Sequence, residues 1–113
     1  MKRLILGTAQ FGMIYGLNNK KRISLKTIKL ILNQARKNNV KFLDTASSYG
    51  NCEKILGKIG VSDFSIISKV MLKNIGMQNP KEWLTKSIKK TLNNLKVKKL
   101  YGLLIHNPIF LKK

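Results

Sequence analysis

Acidic residues are nearly absent from this chain: Asp44, Glu53, Asp63 and Glu82 stand against 23 lysines and arginines, a formal net charge of +19 over 113 residues. Arginine is scarce as well (Arg3, Arg22 and Arg36), so nearly all the basicity is lysine. Lysine, asparagine and isoleucine are plentiful together, a bias that AT-rich coding produces as readily as selection for a polyanionic partner. Such a charge implies salt-sensitive, sequence-blind association with polyanions. A specific nucleic-acid partner, or a role as a basic polyanion-binding module, needs more than that. The lysines spread over loops and expected outer helix faces, without a set of stacking aromatics or a binding motif.

Other absences exclude further classes. Cys52 is the only cysteine, which excludes an internal disulfide and fits a reducing, cytoplasmic setting. No apolar run approaches the ~20 residues that span a bilayer. The basic start Met1-Lys2-Arg3 leads into only Leu4 to Leu6, too short for a signal segment. No His, Cys or carboxylate cluster has ligand spacing, so no metal site is expected. Gly7, Gly12 and Gly16 lack the spacing of a dinucleotide fingerprint, and no helix follows them directly. The 43% hydrophobic content argues against disorder, and the length is one domain's worth at most.

What is present alternates. Leu4 to Leu6 reads as a strand opening into Gly7-Thr8-Ala9-Gln10-Phe11-Gly12, with loop over 13–22. Ser24 is a suitable N-cap for a helix to about Asn38, with Leu25, Ile28, Ile31, Leu32 and Ala35 on one face. Val40 to Leu43 is a second strand, ending at Asp44. Asn51 caps a short helix with Cys52, Ile55, Leu56 and Ile59 inward, stopped by Gly60. Phe64 to Ser68 is a third strand, ending at Lys69. Asn79-Pro80 starts a helix with Glu82 at the positive end of its dipole. Leu84, Ile88, Leu92 and Leu95 form its inner face, with Trp83 at the margin. Leu100 to Ile105 is a fourth strand, ending in His106-Asn107-Pro108. The order βαβαβαβ argues for a single α/β domain with a parallel sheet and right-handed crossovers.

Three of these strands end on titratable groups: Asp44, Lys69 and His106. Polar groups at the carboxyl ends of successive parallel strands are how α/β proteins build sites. Tyr49 follows Asp44 by five residues, completing a set suited to proton transfer. Each residue alone has a plainer reading. Asp44 could cap a turn, Tyr49 could be packing, Lys69 could be a strand-end charge in a lysine-rich chain, and His106 could be structural. Cys52 reads as a small apolar residue on a helix face, and Met71, Met77 and Trp83 as cover for apolar surface.

The segment Asp44-Thr45-Ala46-Ser47-Ser48-Tyr49-Gly50, followed by Glu53, Leu56 and Gly57, resembles the D-T-A-x-x-Y-G-x-x-E-x-x-L-G segment of the aldo/keto reductases. Leu6 to Gly12 resembles the start of a bacterial branch of that family, Ile67-Ser68-Lys69 its third strand end, and Leu104 to Pro108 its fourth. The resemblance covers essentially residues 1–113 in family order. It implies a (β/α)8 TIM barrel, which needs ~250 residues, so this chain looks like the amino-terminal half of one. It also implies reduction of an aldehyde or ketone with NADP(H). A free phenol titrates at about 10, so an efficient phenolic acid needs a cation beside it. By the resemblance Tyr49 is the general acid, Lys69 that cation and Asp44 the partner of Lys69. His106 would donate to the carbonyl oxygen, and Gly7 and Thr8 would lie near the nicotinamide ribose.

Family positions that hold the nicotinamide amide after strand five, stack on the ring from strand seven and grip the phosphate near strand eight have no counterpart in these 113 residues. The expectation is a complete tetrad without a competent cofactor site, inactive and poorly soluble alone. Strands one and four would be open edges. A non-catalytic half-barrel, active only with a second half-barrel chain or through self-association, remains the alternative.

Overall fold

The computed structural model describes residues 3–12, 23–71 and 79–106. The expected loop at 13–22, Met77 and the Asn107-Pro108 pair lie outside the described residues. Four strands, β1 (Ile5–Gly7), β2 (Phe42–Asp44), β3 (Ser65–Val70) and β4 (Gly102–Ile105), alternate with helices α1 (Leu25–Lys37), α2 (Cys52–Ile59) and α3 (Pro80–Leu95). A single 3-10 turn, Ala9–Phe11, follows β1. The strands form one parallel sheet in the order β1-β2-β3-β4. That uninterrupted neighbour order is the first half of a (β/α)8 barrel.

The helix ends follow local chemistry. The Ser24 hydroxyl accepts from the Thr27 amide at 3.2 Å, and the Asn79 side chain accepts from the Lys81 amide at 3.1 Å. Pro80 then occupies the first helical turn, where its missing N–H costs nothing. Asn51 stands at the expected cap position of α2 without a side-chain cap bond; its backbone N–H donates instead to the Gly12 carbonyl at 3.3 Å. Gly60 ends α2 at a φ of 100°, a conformation other residues rarely adopt.

The sheet's two faces differ. Ile66, Ser68 and Val70 of β3 are buried beneath the helices, while Ser65, Ile67 and Lys69 point the other way, half-buried. With Ile28, Leu32, Leu43, Leu56 and Leu95, Ile66 makes the core between sheet and helices. Full burial of side chains this size contributes roughly 1.5–3 kcal/mol each. Two expected inner-face residues are not inside: Leu25 is 40% and Leu84 is 37% exposed. Both lie near the amino-terminal ends of their helices. Over 80–86 only Trp83 is half-buried, and α3 packs instead through Thr91 and Leu95. There Gly57 of α2 lies against the backbone of Asn94, closer than any side chain would permit.

On the opposite face Ile5 is 54% and Leu104 is 52% exposed. β1 and β4 each have one neighbour, so both outer edges are unpaired among the described residues. This is the face that a completed barrel turns inward. At the sheet's other end, away from the strand termini that carry the candidate residues, Arg36 grips Asp63 with Nε at 2.6 Å and its terminal nitrogen at 3.0 Å. The Arg36 hydrogen bond holds the Asp63 carboxyl below its ordinary range.

Candidate active site

The parallel register places Gly7 beside Asp44, and Asp44 beside Ile67, two residues before Lys69. The chain leaving β2 then folds back over these strand ends. The Thr45 amide donates to the Ile67 carbonyl at 2.9 Å, and the Ser47 amide and hydroxyl both reach the Lys69 carbonyl, at 3.0 and 3.1 Å. Two tight contacts, Tyr49 N–H to the Ala46 carbonyl and Cys52 N–H to the Tyr49 carbonyl, close the turn and start α2. Tyr49 is thereby brought back over Lys69. His106 arrives from β4, its backbone N–H bonded to the Val70 carbonyl at 2.9 Å.

All four residues expected to form the tetrad meet on this rim. The Lys69 ammonium donates to Asp44 Oδ1 at 2.7 Å, to the Thr45 carbonyl at 3.1 Å and to the Tyr49 hydroxyl at 3.5 Å, a long contact. An ammonium has three N–H donors, and each has a partner. The Lys69 side chain is only 16% exposed, so its charge is screened little by water and is compensated by Asp44. The Tyr49 and His106 rings meet edge-on with centroids 5.8 Å apart.

The two residues expected near a nicotinamide ribose behave differently. Gly7 is exposed, and a Cβ placed on it would meet nothing within 4 Å. Thr8 is fully buried, its amide and hydroxyl both donating to the Asp44 carbonyl at 3.0 and 2.9 Å. Its direct work is to hold the Asp44 backbone. Gly7 is thus open to solvent beside Asp44, whose side chain is 34% exposed.

Sequence reasoning missed several supporting groups. Ser48 Oγ lies 2.9 Å from His106 Nδ1, across 58 residues of chain. Glu53 is 5% exposed and accepts from Ser68 at 2.9 Å and Thr91 at 3.1 Å, joining α2, β3 and α3 directly behind the site. Burial raises the Glu53 carboxyl above its ordinary range, against the opposing pull of those two hydroxyls and of Lys90. Glu53 and Ser68 are polar residues at otherwise apolar inward positions, and that break in pattern was the available signal. Burial likewise pushes the Cys52 thiol up, which suits the small packing residue expected, not a reactive thiolate. Among the described residues no group of three His, Cys, Asp or Glu side chains could hold a metal ion. Nor is any described helix long and apolar enough to cross a membrane.

The fold is half of an α/β barrel, with Asp44, Tyr49, Lys69 and His106 gathered at the strand carboxyl ends. The family model of the aldo/keto reductases matches residues 3–113, and the chain belongs to the aldo/keto reductase family. Two solved structures of proteins assigned as aldo-keto reductases from Pseudomonas aeruginosa are similar to it, at 25% and 24% identity with TM-scores of 0.75 and 0.74. Each overlays 91% of this chain, and the chain spans 42% and 40% of their lengths. An aldose reductase from Giardia lamblia shares the fold at 23% identity and a TM-score of 0.61, with 92% of this chain covering 32% of that one. No curated protein matches the chain.

Proposed function

We propose that this chain carries the proton-donating side of an NAD(P)H-dependent carbonyl reductase acting on a small aldehyde or ketone. The observation that carries this reading is how Lys69 is engaged. An ammonium only donates, so the Tyr49 oxygen accepts in their 3.5 Å contact. The phenolic O–H is left to point away, toward an incoming oxygen. Bound nicotinamide supplies the hydride. Negative charge then grows on the carbonyl oxygen, and Tyr49 donates its proton there. Lys69 stabilises the phenolate that remains, and Asp44 and the Thr45 carbonyl hold Lys69 in place. His106 donates a hydrogen bond to the same oxygen and orients it. Preorganised charge of this kind lowers the barrel's reorganisation during reaction.

Gly7 and Asp44 would receive the nicotinamide end, with NADP(H) the cofactor the family resemblance favours. The rest of the cofactor grip falls outside these 113 residues, so the 113-residue chain alone is expected to be inactive. The exposed Ile5 and Leu104 and the open edges favour a second reading in which the site works only when a second half-barrel chain, or another copy, covers this face. The lone cysteine suits a cytoplasmic setting.

Calorimetry with NADPH in ~0.3 M salt, which shortens the range of the +19 charge, tests the cofactor side. NADPH is expected to bind the 113-residue chain no more tightly than ATP does, with no effect of Asp44→Ala. Saturable binding tighter than ATP and weakened by Asp44→Ala would show that these residues already make a working cofactor site.

A further inference from the structure

Ser48 belongs to the turn that delivers Tyr49, and nothing in the catalytic roles above uses it. Its neighbours fix it firmly: Ser47 is bonded twice to the Lys69 carbonyl, and the Tyr49 amide to the Ala46 carbonyl. Its hydroxyl lies 2.9 Å from His106 Nδ1. The His106 backbone is held independently, by the 2.9 Å bond to Val70, and its ring is flanked edge-on by Tyr49. Ser48 is exposed and His106 is half-buried. A neutral hydrogen bond in that setting adds little to stability, so its geometry points to another use.

We propose that Ser48 is a positioning residue that fixes the His106 ring through Nδ1 and keeps the neutral imidazole's proton on Nε2. This rests on the carbonyl-reductase reading of the site. A neutral imidazole has one N–H and one bare nitrogen. Were the proton on Nδ1, bonded to the serine oxygen, Nε2 would turn a lone pair toward the substrate oxygen and repel the charge that develops there. With the serine hydroxyl donating to Nδ1, the proton stays on Nε2, and the ring becomes the donor that the reaction needs. The partner of one ring nitrogen thus sets the chemistry of the other. The same bond ties the Tyr49 turn to the end of β4, so the two groups that would flank the substrate oxygen are placed relative to each other by one serine.

The chain contains a single histidine, so a ¹⁵N-labelled sample gives one imidazole to read. Long-range ¹H–¹⁵N spectra would be recorded on the 113-residue chain and on its Ser48→Ala and Ser48→Thr variants, at a pH where the ring is neutral. The expected result is a single Nε2–H tautomer in the parent, a mixture of both tautomers in Ser48→Ala, and the parent pattern restored in Ser48→Thr. A parent ring protonated on Nδ1 overturns the proposal, as does a Ser48→Ala spectrum identical to the parent's. If Ser48→Ala does not fold, Ser48→Gly is read in its place, with the same expected mixture and the same overturning result. The readout needs no turnover. In a completed barrel, Tyr49→Phe with full reductase activity would defeat the functional reading, whereas a wrong tautomer in the parent would defeat the Ser48 role whatever Tyr49 does.

Discussion

Replacing Lys69 by methionine is expected to lower kcat for aldehyde reduction by at least about 100-fold in any polypeptide that completes this sheet into a barrel. Methionine keeps the length and apolar stem of lysine but donates no hydrogen bond. Three partners lose their contact at once: Asp44 Oδ1 at 2.7 Å, the Thr45 carbonyl at 3.1 Å and the Tyr49 hydroxyl at 3.5 Å. The phenolate left by proton donation then has no cation beside it. Stability should fall far less, by about 1 kcal/mol, because Asp44 is 34% exposed and water can cover its freed oxygen. Steady-state kinetics beside urea unfolding separates the two effects. A Lys69→Met enzyme within tenfold of the parent kcat would show that the ammonium does not serve Tyr49.

The second large effect concerns stability. Glu53→Ala is expected to destabilise the chain by about 2–4 kcal/mol, because it strands two buried hydroxyls and opens a cavity. Ser68 and Thr91 are 0% and 1% exposed, and Glu53 is their bonded partner across the α2, β3 and α3 junction. Glu53 should also leave a mark on the pH dependence. Its carboxyl is raised in the folded chain, chiefly by burial, so the folded state holds the proton more tightly than the unfolded state does. Its stabilising contribution is therefore fully present below the ordinary glutamate value of about 4.3. It is lost as pH rises from there through the raised value, and is constant above. Asp63 acts in the opposite sense. Lowered by Arg36, it contributes above the ordinary aspartate value of about 3.9 and loses that contribution as pH falls through its depressed value. Asp63 is common to both proteins, so the difference between the parent and Glu53→Gln isolates Glu53. The parent should lose stability relative to Glu53→Gln as pH rises through that window, and parallel curves would contradict it.

The rim was legible because a titratable group at the end of an apolar run breaks the local pattern. Asp44, Lys69 and His106 all announce themselves that way, and the short Asp44-to-Tyr49 spacing leaves only one compact turn between them. Capping chemistry was equally local, so Ser24 and Asn79-Pro80 mark the starts of their helices correctly. Strand limits shifted by up to two residues, since partners in the sheet set them. β3 runs through Lys69 to Val70 because β4 pairs with it there. The inner face of α3 was misread at Leu84 because helical period alone does not say which turns find a neighbour. The close approach at Gly57 draws the carboxyl-terminal half of α3 inward and buries Thr91, which lay outside the expected apolar face of Leu84, Ile88, Leu92 and Leu95. The contact of Ser48 with His106 spans 58 residues and leaves no trace in either local pattern.

The most direct test of the proton-donor role is NADPH-dependent reduction of a small aldehyde by this chain joined to the carboxyl-terminal half of the Pseudomonas aeruginosa protein it overlays, with tyrosine or phenylalanine at position 49. The expected result is turnover with Tyr49 and a loss of at least about 100-fold in Tyr49→Phe with NADPH binding unchanged. Equal turnover by the two proteins would contradict it.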